Sequence, residues 1–572
     1  MEFPESLHNY IYRGISNVLD QLSVEQRKIS NYFREVLDSV DNEMNGKVHV
    51  SAVAGSGKTR TAGAIYYMGL GEFKPESILS LSFTNIAKDT LTNRLRSQLK
   101  NWNDGLNKSL INSSTIHSYA INEINKYRIS KLKKKKLEAL EPANVTTALN
   151  NTYKKFTSRF SSLKTVMDLL EDQYSNSHYW NDSMVEPPEE LLFFNKELSK
   201  WNNNNRTCLP FSFILIKFLF LLREKKIVPK LKLFILDEYQ DLTTAMLKII
   251  RRICKLSEFC FLFGDVNQNI YPETVEWESV SCILFLSKYK YFKLTKCFRC
   301  HPSIHQSAMI IVNKHYDYTK DVDNLWESRG RQSSKVFAVQ CSNFDEQLEK
   351  CFKVIKTFNK DQTVGVFSRT SSTVSTLSTY LKRKFGKNNV YNVSNELNSV
   401  ENQKKRITCS TVHKVKSTEF DHVLIVNFVH HEFPMIVGNN SSFETDTERR
   451  VAYVAFTRAK QSLFLLSPTN MESSPSAQAT SFYFPSRSIF LTEIEKIVCF
   501  SLFGDSPHPR ILIMKNLGRC KITLRNIDFS KSIRSIREAS ESEDRKKKQD
   551  NDRNTDVPTI GDPLITNQPL TK

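Results

Sequence analysis

A chain of 572 residues and 66.2 kDa exceeds what one ordinary hydrophobic core organises, so two or more domains are expected. With 81 Lys and Arg against 61 Asp and Glu, the formal charge of +20 points to a polyanionic partner, nucleic acid or an acidic membrane, unless the chain is simply a basic soluble protein. Eleven scattered cysteines, an odd number at low density, exclude a disulfide scaffold, and the start MEFPESLHNY has no basic-then-apolar leader, so a reducing compartment, cytoplasmic or nuclear, is expected.

In chain order, the first strong signal is VHVSAVA at 48–54, an apolar run that reads as a strand covered on both faces. It runs into AVAGSGKT at 52–59, followed by the helix-compatible TAGAIYYMGL. Glycines at 55 and 57 let backbone N–H groups curl around phosphate oxygens at a helix N-terminus; Lys58 can reach the β- and γ-phosphates and Thr59 can ligate Mg²⁺. Ala54, Gly55, Ser56, Gly57, Lys58 and Thr59, with Arg60 behind them, form the expected ATP cradle. Ala52 stands where the strict G-x-x-x-x-G-K-[ST] pattern has its first glycine.

A second strand, ILSLSF at 78–83, is followed by a long stretch of mostly helical periodicity that includes KYRISKLKKKKLEAL (126–140) and NTYKKFTSRF (151–160) and reads as a helical insertion. The lysines at 133–136 read first as a solvated helix face. FSFILIKFLFLL at 211–222 is short for a bilayer and carries Lys217, so it is expected as a buried core helix, with no membrane partner. The next strand, LFILD at 233–237, ends in acid. A parallel strand ends at the carboxyl edge where ligands sit, so Asp237 is placed to hold Mg²⁺ and Glu238 to orient and deprotonate a water. The alternative is an acidic helix start.

Further apolar runs, FCFLFGD (259–265), TVGVFS (363–368), VLIVNF (423–428) and SLFLLS (462–467), complete an α/β pattern. CFRCH at 297–301 has the spacing of a c-type haem attachment, but no export route accompanies it, and a single C-x-x-C offers half of a structural zinc site; neither haem nor zinc is expected. After residue 535 too little apolar surface remains to offset ordering entropy, and a disordered tail is expected.

Nine segments occur in a recognisable order: LSVEQRKI (22–29), the phosphate loop, SFTNIAKDTLTNRL (82–95) with STIHSYA (114–120), LDEYQD with GDVNQNIY (264–271), LTKCFRCHPSI (294–304), STVHKVKSTEFDHVLIVNF (410–428) and RRVAYVAFTRAK (449–460). In these the chain resembles the UvrD and Rep type of superfamily 1 DNA helicases. The resemblance implies Gln26 on adenine, Gln268 sensing the γ-phosphate, Arg299 and Arg458 as arginine fingers, and Glu419 meeting the sugar. It assigns Phe83, Thr84, Asn85, His117, Tyr271 and His413 to the DNA strand.

The implied fold is α/β, with two RecA-like P-loop domains built on parallel sheets and a mainly helical insertion in the first. RecA-like domain 1 is expected at 1–120 and 212–295, the insertion at 121–211, RecA-like domain 2 at 296–475, a C-terminal extension at 476–534 and the tail at 535–572. The interval from Cys300 to Thr408 leaves no room for the large second accessory domain, which is absent or vestigial. Two motifs depart from the family pattern. Ser417 and Thr418 stand where Gly-Leu is usual, and Tyr271 is followed by Pro272, the nearest tryptophan being Trp277. The expected function is an ATP- and Mg²⁺-dependent translocase or helicase on single-stranded DNA and its duplex junctions, of 3′ to 5′ polarity, with a protein loading partner left open. The same motor acting on RNA or within a nuclease complex, and a nucleic-acid-binding scaffold with an inactive ATPase, are the alternatives.

Overall fold

The computed structural model describes residues 5–39, 45–99, 110–134, 136–139, 208–209, 211–271, 274–277, 279–313, 335–393, 405–435, 442–469, 488–494 and 499–501. All belong to one compact unit, Met1–Ile513, and the second unit, Met514–Lys572, falls outside them. So do most of the expected insertion, the segment at 151–160, Pro272, most of the C-terminal extension and the tail.

The first half of the chain supplies β1 (Lys47–Ala52), β2 (Ile78–Ser82), β3 (Ser113–Thr115), the two-residue β4 (Glu138–Ala139) and β5 (Cys208–Leu209), β6 (Leu231–Asp237), β7 (Ser257–Gly264) and β8 (Lys290–Leu294). Six of these form a sheet in the order β3-β2-β6-β7-β1-β8, parallel at every pairing, and β4 pairs with β5 apart from it. The continuous greasiness of β6 follows from having both faces covered. Phe234 and Leu236 pack into a core shared with helices Ile116–Ser130, Phe211–Arg223 and Thr244–Leu256; Leu233 and Ile235 pack into the opposite core, with helices Val24–Asp38, Lys58–Glu72 and Asn85–Gln98.

The second half repeats the plan. It supplies β9 (Val336–Cys341), β10 (Val364–Ser368), β11 (Val390–Asn392), β12 (Ile407–Thr411), β13 (Phe420–Ile425), β14 (Ala459–Pro468) and β15 (Cys499–Ser501), in the order β11-β12-β10-β13-β14-β9-β15, again all parallel. Helices Phe344–Thr357 and Ser371–Phe385 cover one face; Pro302–Val312, Ser442–Phe456 and Ile489–Glu493 cover the other. Two parallel-sheet α/β domains of this kind are what a RecA-like pair requires. Among the described residues between 300 and 408, every element is a layer of this second domain. No helix among the described residues is long and apolar enough to cross a membrane.

The structure corrects three local readings. The first strand stops at Ala52, whose pairing with Leu294 of β8 is closed by the Val53 N–H on the Leu294 carbonyl at 3.0 Å, and the chain beyond it is loop. The lysine-rich stretch is not helical throughout. The helix ends at Ser130, Lys133 takes a φ of 52°, and Asn125 clamps Leu137 through both side-chain atoms, at 2.9 and 2.6 Å, turning the chain back. Adjacent lysines repel one another, and this local clamp outweighs the helical pattern. Third, β3, β8, β9, β11 and β12 lie outside the apolar runs read as strands. β3 is Ser-Ser-Thr, and β8 is an edge strand, KYFKL, whose lysines are exposed.

Gly264, the last residue of β7, marks where the sheet meets the site. A Cβ there would stand 2.5 Å from the Tyr239 ring and 2.7 Å from Gln240 Oε1. Neither neighbour can yield, since Tyr239 is buried, bonded to His49 Nε2 at 2.9 Å, and set edge-on against Trp277 at 4.7 Å. Gly264→Ala should therefore lower stability by about 1–3 kcal/mol, as overpacking does. A thermal unfolding midpoint equal to that of the unaltered chain would show that the Tyr239 turn gives way.

Candidate active site

The loop after β1 is shaped by two left-handed glycines, Gly55 at φ +73° and Gly57 at φ +86°, and Gly57 caps helix Lys58–Glu72. Gln26 props it from outside. Its Nε2 donates to the Ser56 carbonyl at 2.8 Å, and its Oε1 accepts from Ser23 N at 3.0 Å in the capping box that starts helix Val24–Asp38. The residue expected on adenine is thus built into the phosphate loop. Arg60, in the first turn of the helix, is exposed.

Lys58, Thr59, Asp237 and Glu238 are brought together. Thr59 Oγ1 donates to Asp237 Oδ2 at 2.9 Å, and Lys58 Nζ lies 3.7 Å from Glu238 Oε2. Burial, and next the Glu238 carboxylate, raise Asp237 to about 7, against the pull of Lys58 and Thr59. Burial also acts to raise Glu238, but Lys58, the hydrogen bond from Gln240, Lys416 and Arg458 together leave it lowered. Two adjacent carboxylates with opposite tendencies suit different tasks. A hydroxyl and a buried carboxylate in contact are the hard oxygen donors that Mg²⁺ takes. Glu238 has a φ of 61°, a strained region for a residue other than glycine, and its side chain makes no cap hydrogen bond to the following turn, Tyr239–Asp241. The acidic-helix-start alternative therefore loses its basis for this residue.

Sequence reasoning missed the polar network behind these groups. Gln240 donates to Glu238 Oε2 at 2.7 Å and accepts from Asp265 N at 3.0 Å. Asp265 Oδ2 accepts from Gln268 at 2.8 Å and from the Tyr453 hydroxyl at 3.0 Å, and that hydroxyl accepts from Ala54 N at 2.9 Å. Tyr453, from the second domain, thereby ties the phosphate loop to the segment carrying Gln268. A second tie is the buried ion pair of Asp241 with Lys416. Gln240, Asp241, Lys416 and Tyr453 all stand inside quoted motifs, and the usable signal was a polar residue directly after a buried strand.

The arginines lie at the same interface. Arg299 Nη2 pairs with Glu419 Oε1 at 2.5 Å, Nη1 donates to the Thr457 carbonyl at 3.2 Å, and Nε is buried with no hydrogen-bond partner among the described residues. Glu419, expected on the sugar, sits between Arg299 and Lys460, the latter at 3.5 Å. Burial works against the Arg299 cation, yet Glu419 leaves its pKa raised. Arg458 is buried and engaged within its own domain, through Val454 O at 3.0 Å, Thr457 Oγ1 at 3.1 Å, Thr418 O at 3.3 Å and the Lys416 carbonyl. Burial, with Arg299 beside it, lowers Arg458 to about 10. Ser417 and Thr418 have no positive φ, so this segment makes no demand for glycine.

Of the residues assigned to the DNA strand, Phe83, Tyr271 and His413 converge. The Tyr271 ring centre is 6.3 Å from that of Phe83 and 6.2 Å from that of His413, and the Lys416 ammonium lies 4.9 Å from it. Thr84 caps helix Asn85–Gln98 by accepting from Ala87 N at 3.2 Å, which makes Asn85 its first residue. His117 is the second residue of helix Ile116–Ser130, and burial lowers it to about 4. Burial and then Arg369 and Lys416 do the same to His413. Trp277 is buried against Tyr239. Phe298, which the sequence reading did not assign, is 48% exposed, and its N–H donates to the Gly55 carbonyl at 2.9 Å, setting an aromatic face beside the loop.

The UvrD/REP helicase N-terminal domain matches residues 34–274 and the UvrD-like helicase C-terminal domain matches 387–469, together more than half of the chain. The chain is 24% identical over 405 residues to the mitochondrial ATP-dependent DNA helicase HMI1 of Saccharomyces cerevisiae, covering 64% of this chain and 52% of that protein. It is 27% identical over 308 residues to the ATP-dependent DNA helicase Rep of Buchnera aphidicola subsp. Schizaphis graminum, covering 49% and 44%. A probable DNA helicase of Mycoplasma pneumoniae is 25% identical over 272 residues, covering 46% and 47%. The chain spans about half the length of these curated relatives.

A divalent cation held by Asp237, as expected from the sequence, would compete with a proton for its oxygens. Because its carboxyl is raised to about 7, the proton gains as pH falls through that value. The magnesium concentration giving half-maximal turnover should rise between pH 8 and pH 6. A constant requirement across that range would remove Asp237 from the metal.

Proposed function

The chain belongs to the UvrD/Rep-type superfamily 1 helicases, and from that premise we propose that it hydrolyses ATP to translocate 3′ to 5′ on single-stranded DNA, in DNA repair, recombination or replication. The observation that carries this reading is the meeting of Lys58, Thr59, Asp237 and Glu238 at the edge of one sheet with Arg299 and Arg458 from the other domain. The Arg299 Cβ would lie 2.6 Å from a Cβ on Gly55, and the Arg458 charge helps to lower Glu238.

In this reading Gly55, Ser56, Gly57 and Lys58 hold the phosphates, and Phe298 and Gln26 flank the base. Thr59 and Asp237 would hold Mg²⁺, whose charge offsets that of the phosphates. Glu238 is ionised and takes the proton of the attacking water, while Gln268 is kept in place by Asp265. The unpartnered Nε of Arg299 provides a donor for the γ-phosphate, and Arg458 reaches it by releasing the carbonyls it now holds. Closure of the two domains on nucleotide, and reopening after hydrolysis, follow from the γ-phosphate being the shared contact. Phe83 and Tyr271 belong to the first domain and His413 to the second, so the same motion alters a stacking cluster on which unpaired bases can rest.

The deciding measurement is ATP turnover by the full chain with no polymer, single-stranded DNA, duplex DNA or RNA. Single-stranded DNA should stimulate most; stimulation by RNA alone would move the track to RNA, and no turnover under any condition would leave a binding scaffold. Glu238→Gln should keep ATP binding and lose turnover, and normal turnover would sink its role as base. Arg299→Ala or Arg458→Ala should cut kcat by on the order of 10³-fold or more with little change in DNA affinity measured without nucleotide.

Strand separation needs a wedge against the duplex, and the described residues after 300 form only the layers of the second domain. Displacement of a labelled strand from a 3′-tailed duplex should therefore be slow beside removal of a protein block from single-stranded DNA. Fast, processive unwinding by the lone chain would place a wedge in the insertion or the C-terminal extension.

A further inference from the structure

Two nucleophilic side chains at the domain crossing have no part in the hydrolysis just described. Cys297 and Cys300 flank Arg299 on the segment between β8 and helix Pro302–Val312. Cys297 is half-buried and reachable from solvent, whereas Cys300 is buried. The Cys300 N–H points to Cys297 Sγ at 3.5 Å, and the Cys300 thiol donates to the Thr457 carbonyl at 3.6 Å. The neighbouring Cys300 side chain first, then His305 and the N–H groups of Cys300 and Arg299, lower Cys297 against the effect of burial and so favour its thiolate. The pair also touches the nucleotide site. A Cβ on Gly55 would stand 3.0 Å from Cys297 Sγ, and the Cys300 thiol shares the Thr457 carbonyl with Arg299 Nη1, at 3.6 and 3.2 Å. Metal binding is the competing use of such a pair, but no cluster of three or more His, Cys, Asp or Glu able to hold a metal exists among the described residues.

We propose that Cys297 and Cys300 close a reversible disulfide when a small-molecule disulfide is present, and that closure turns nucleotide hydrolysis off by displacing Arg299. The chemistry is thiol–disulfide exchange. The Cys297 thiolate attacks one sulfur of the small disulfide and releases one thiolate. Cys300 then gives its proton to solvent, attacks Cys297 Sγ in the mixed disulfide and releases the second thiolate. The two cysteines lose two electrons and the small disulfide, reduced to two thiols, gains them. An S–S bond of about 2.05 Å pulls the Cys300 sulfur toward Cys297 and removes its proton from the Thr457 carbonyl. Arg299 lies within the ring so closed, its Cβ against the phosphate loop, and must move with it.

The turning-off rests on the hydrolysis reading above; the disulfide does not. The full chain is incubated with oxidised glutathione, its free thiols are trapped, and cysteine pairs are mapped by mass spectrometry, with ATP turnover on single-stranded DNA followed in parallel. We expect a 297–300 linkage, a loss of turnover of at least about tenfold, short of the on the order of 10³-fold that removal of a finger brings, and recovery with dithiothreitol. Cys254 and Cys260, whose sulfurs are 3.1 Å apart but sealed in the core, should stay reduced. Cys300→Ser should stop at one glutathione on Cys297, and Cys297→Ser should take none there. Absence of the 297–300 linkage overturns the proposal, and a linkage with unchanged turnover overturns its regulatory half. A reduced chain with no turnover would fail the hydrolysis reading instead, and the linkage map would still decide the disulfide.

Discussion

A carboxylate stays charged inside a protein only if something pairs with it, and that requirement organises the interface between the two sheets. Asp237, Asp241 and Asp265, all at the carboxyl ends of β6 and β7, are 1%, 2% and 3% exposed. Each has a different partner: Thr59 from the phosphate loop, Lys416 from the second domain, and Gln268 with Tyr453. Two of these solutions cross from one domain to the other. The domains therefore meet not through apolar surface alone but through buried polar pairs, Asp241 with Lys416 and Asp265 with Tyr453, that cross from one to the other.

This arrangement explains why the phosphate loop is held from several sides. Gln26 holds the Ser56 carbonyl, Tyr453 accepts from the Ala54 amide, and Phe298 donates to the Gly55 carbonyl. Three neighbouring loop residues thus report to the N-terminal helix, to the second domain and to the crossing segment. Glu238, in contrast, is held in a left-handed conformation by side-chain contacts to Gln240 and Lys58. Strain at a carboxylate beside the phosphate site, supported by a network rather than by a cap, is the pattern of a group kept for chemistry.

Much of this was legible in the sequence because it is local. The loop spacing and the acid after a buried strand each lie within a dozen residues, the motifs are short segments whose order is read straight along the chain, and the parallel sheets follow from the continuous greasiness of β2, β6 and β7. What was not legible is pairing across distance. No spacing rule joins Tyr453 to Ala54 or Lys416 to Asp241; those contacts exist only once two domains meet. Likewise the lysines after Ser130 satisfy a helical pattern on paper, and only the Asn125 clamp on Leu137 decides against it. Short polar strands such as β3 gain their place from β2, which pairs with them, rather than from their own composition.

The double use of the Gln26 side chain joins two quantities usually considered apart. One amide closes the capping box of helix Val24–Asp38 and holds the phosphate loop. Unwinding the first turn of that helix releases the loop, and ordering the loop around a nucleotide discourages the unwinding. Ligand occupancy must then appear as slower amide hydrogen exchange near the N-terminus, in a stretch that itself contributes no phosphate contact.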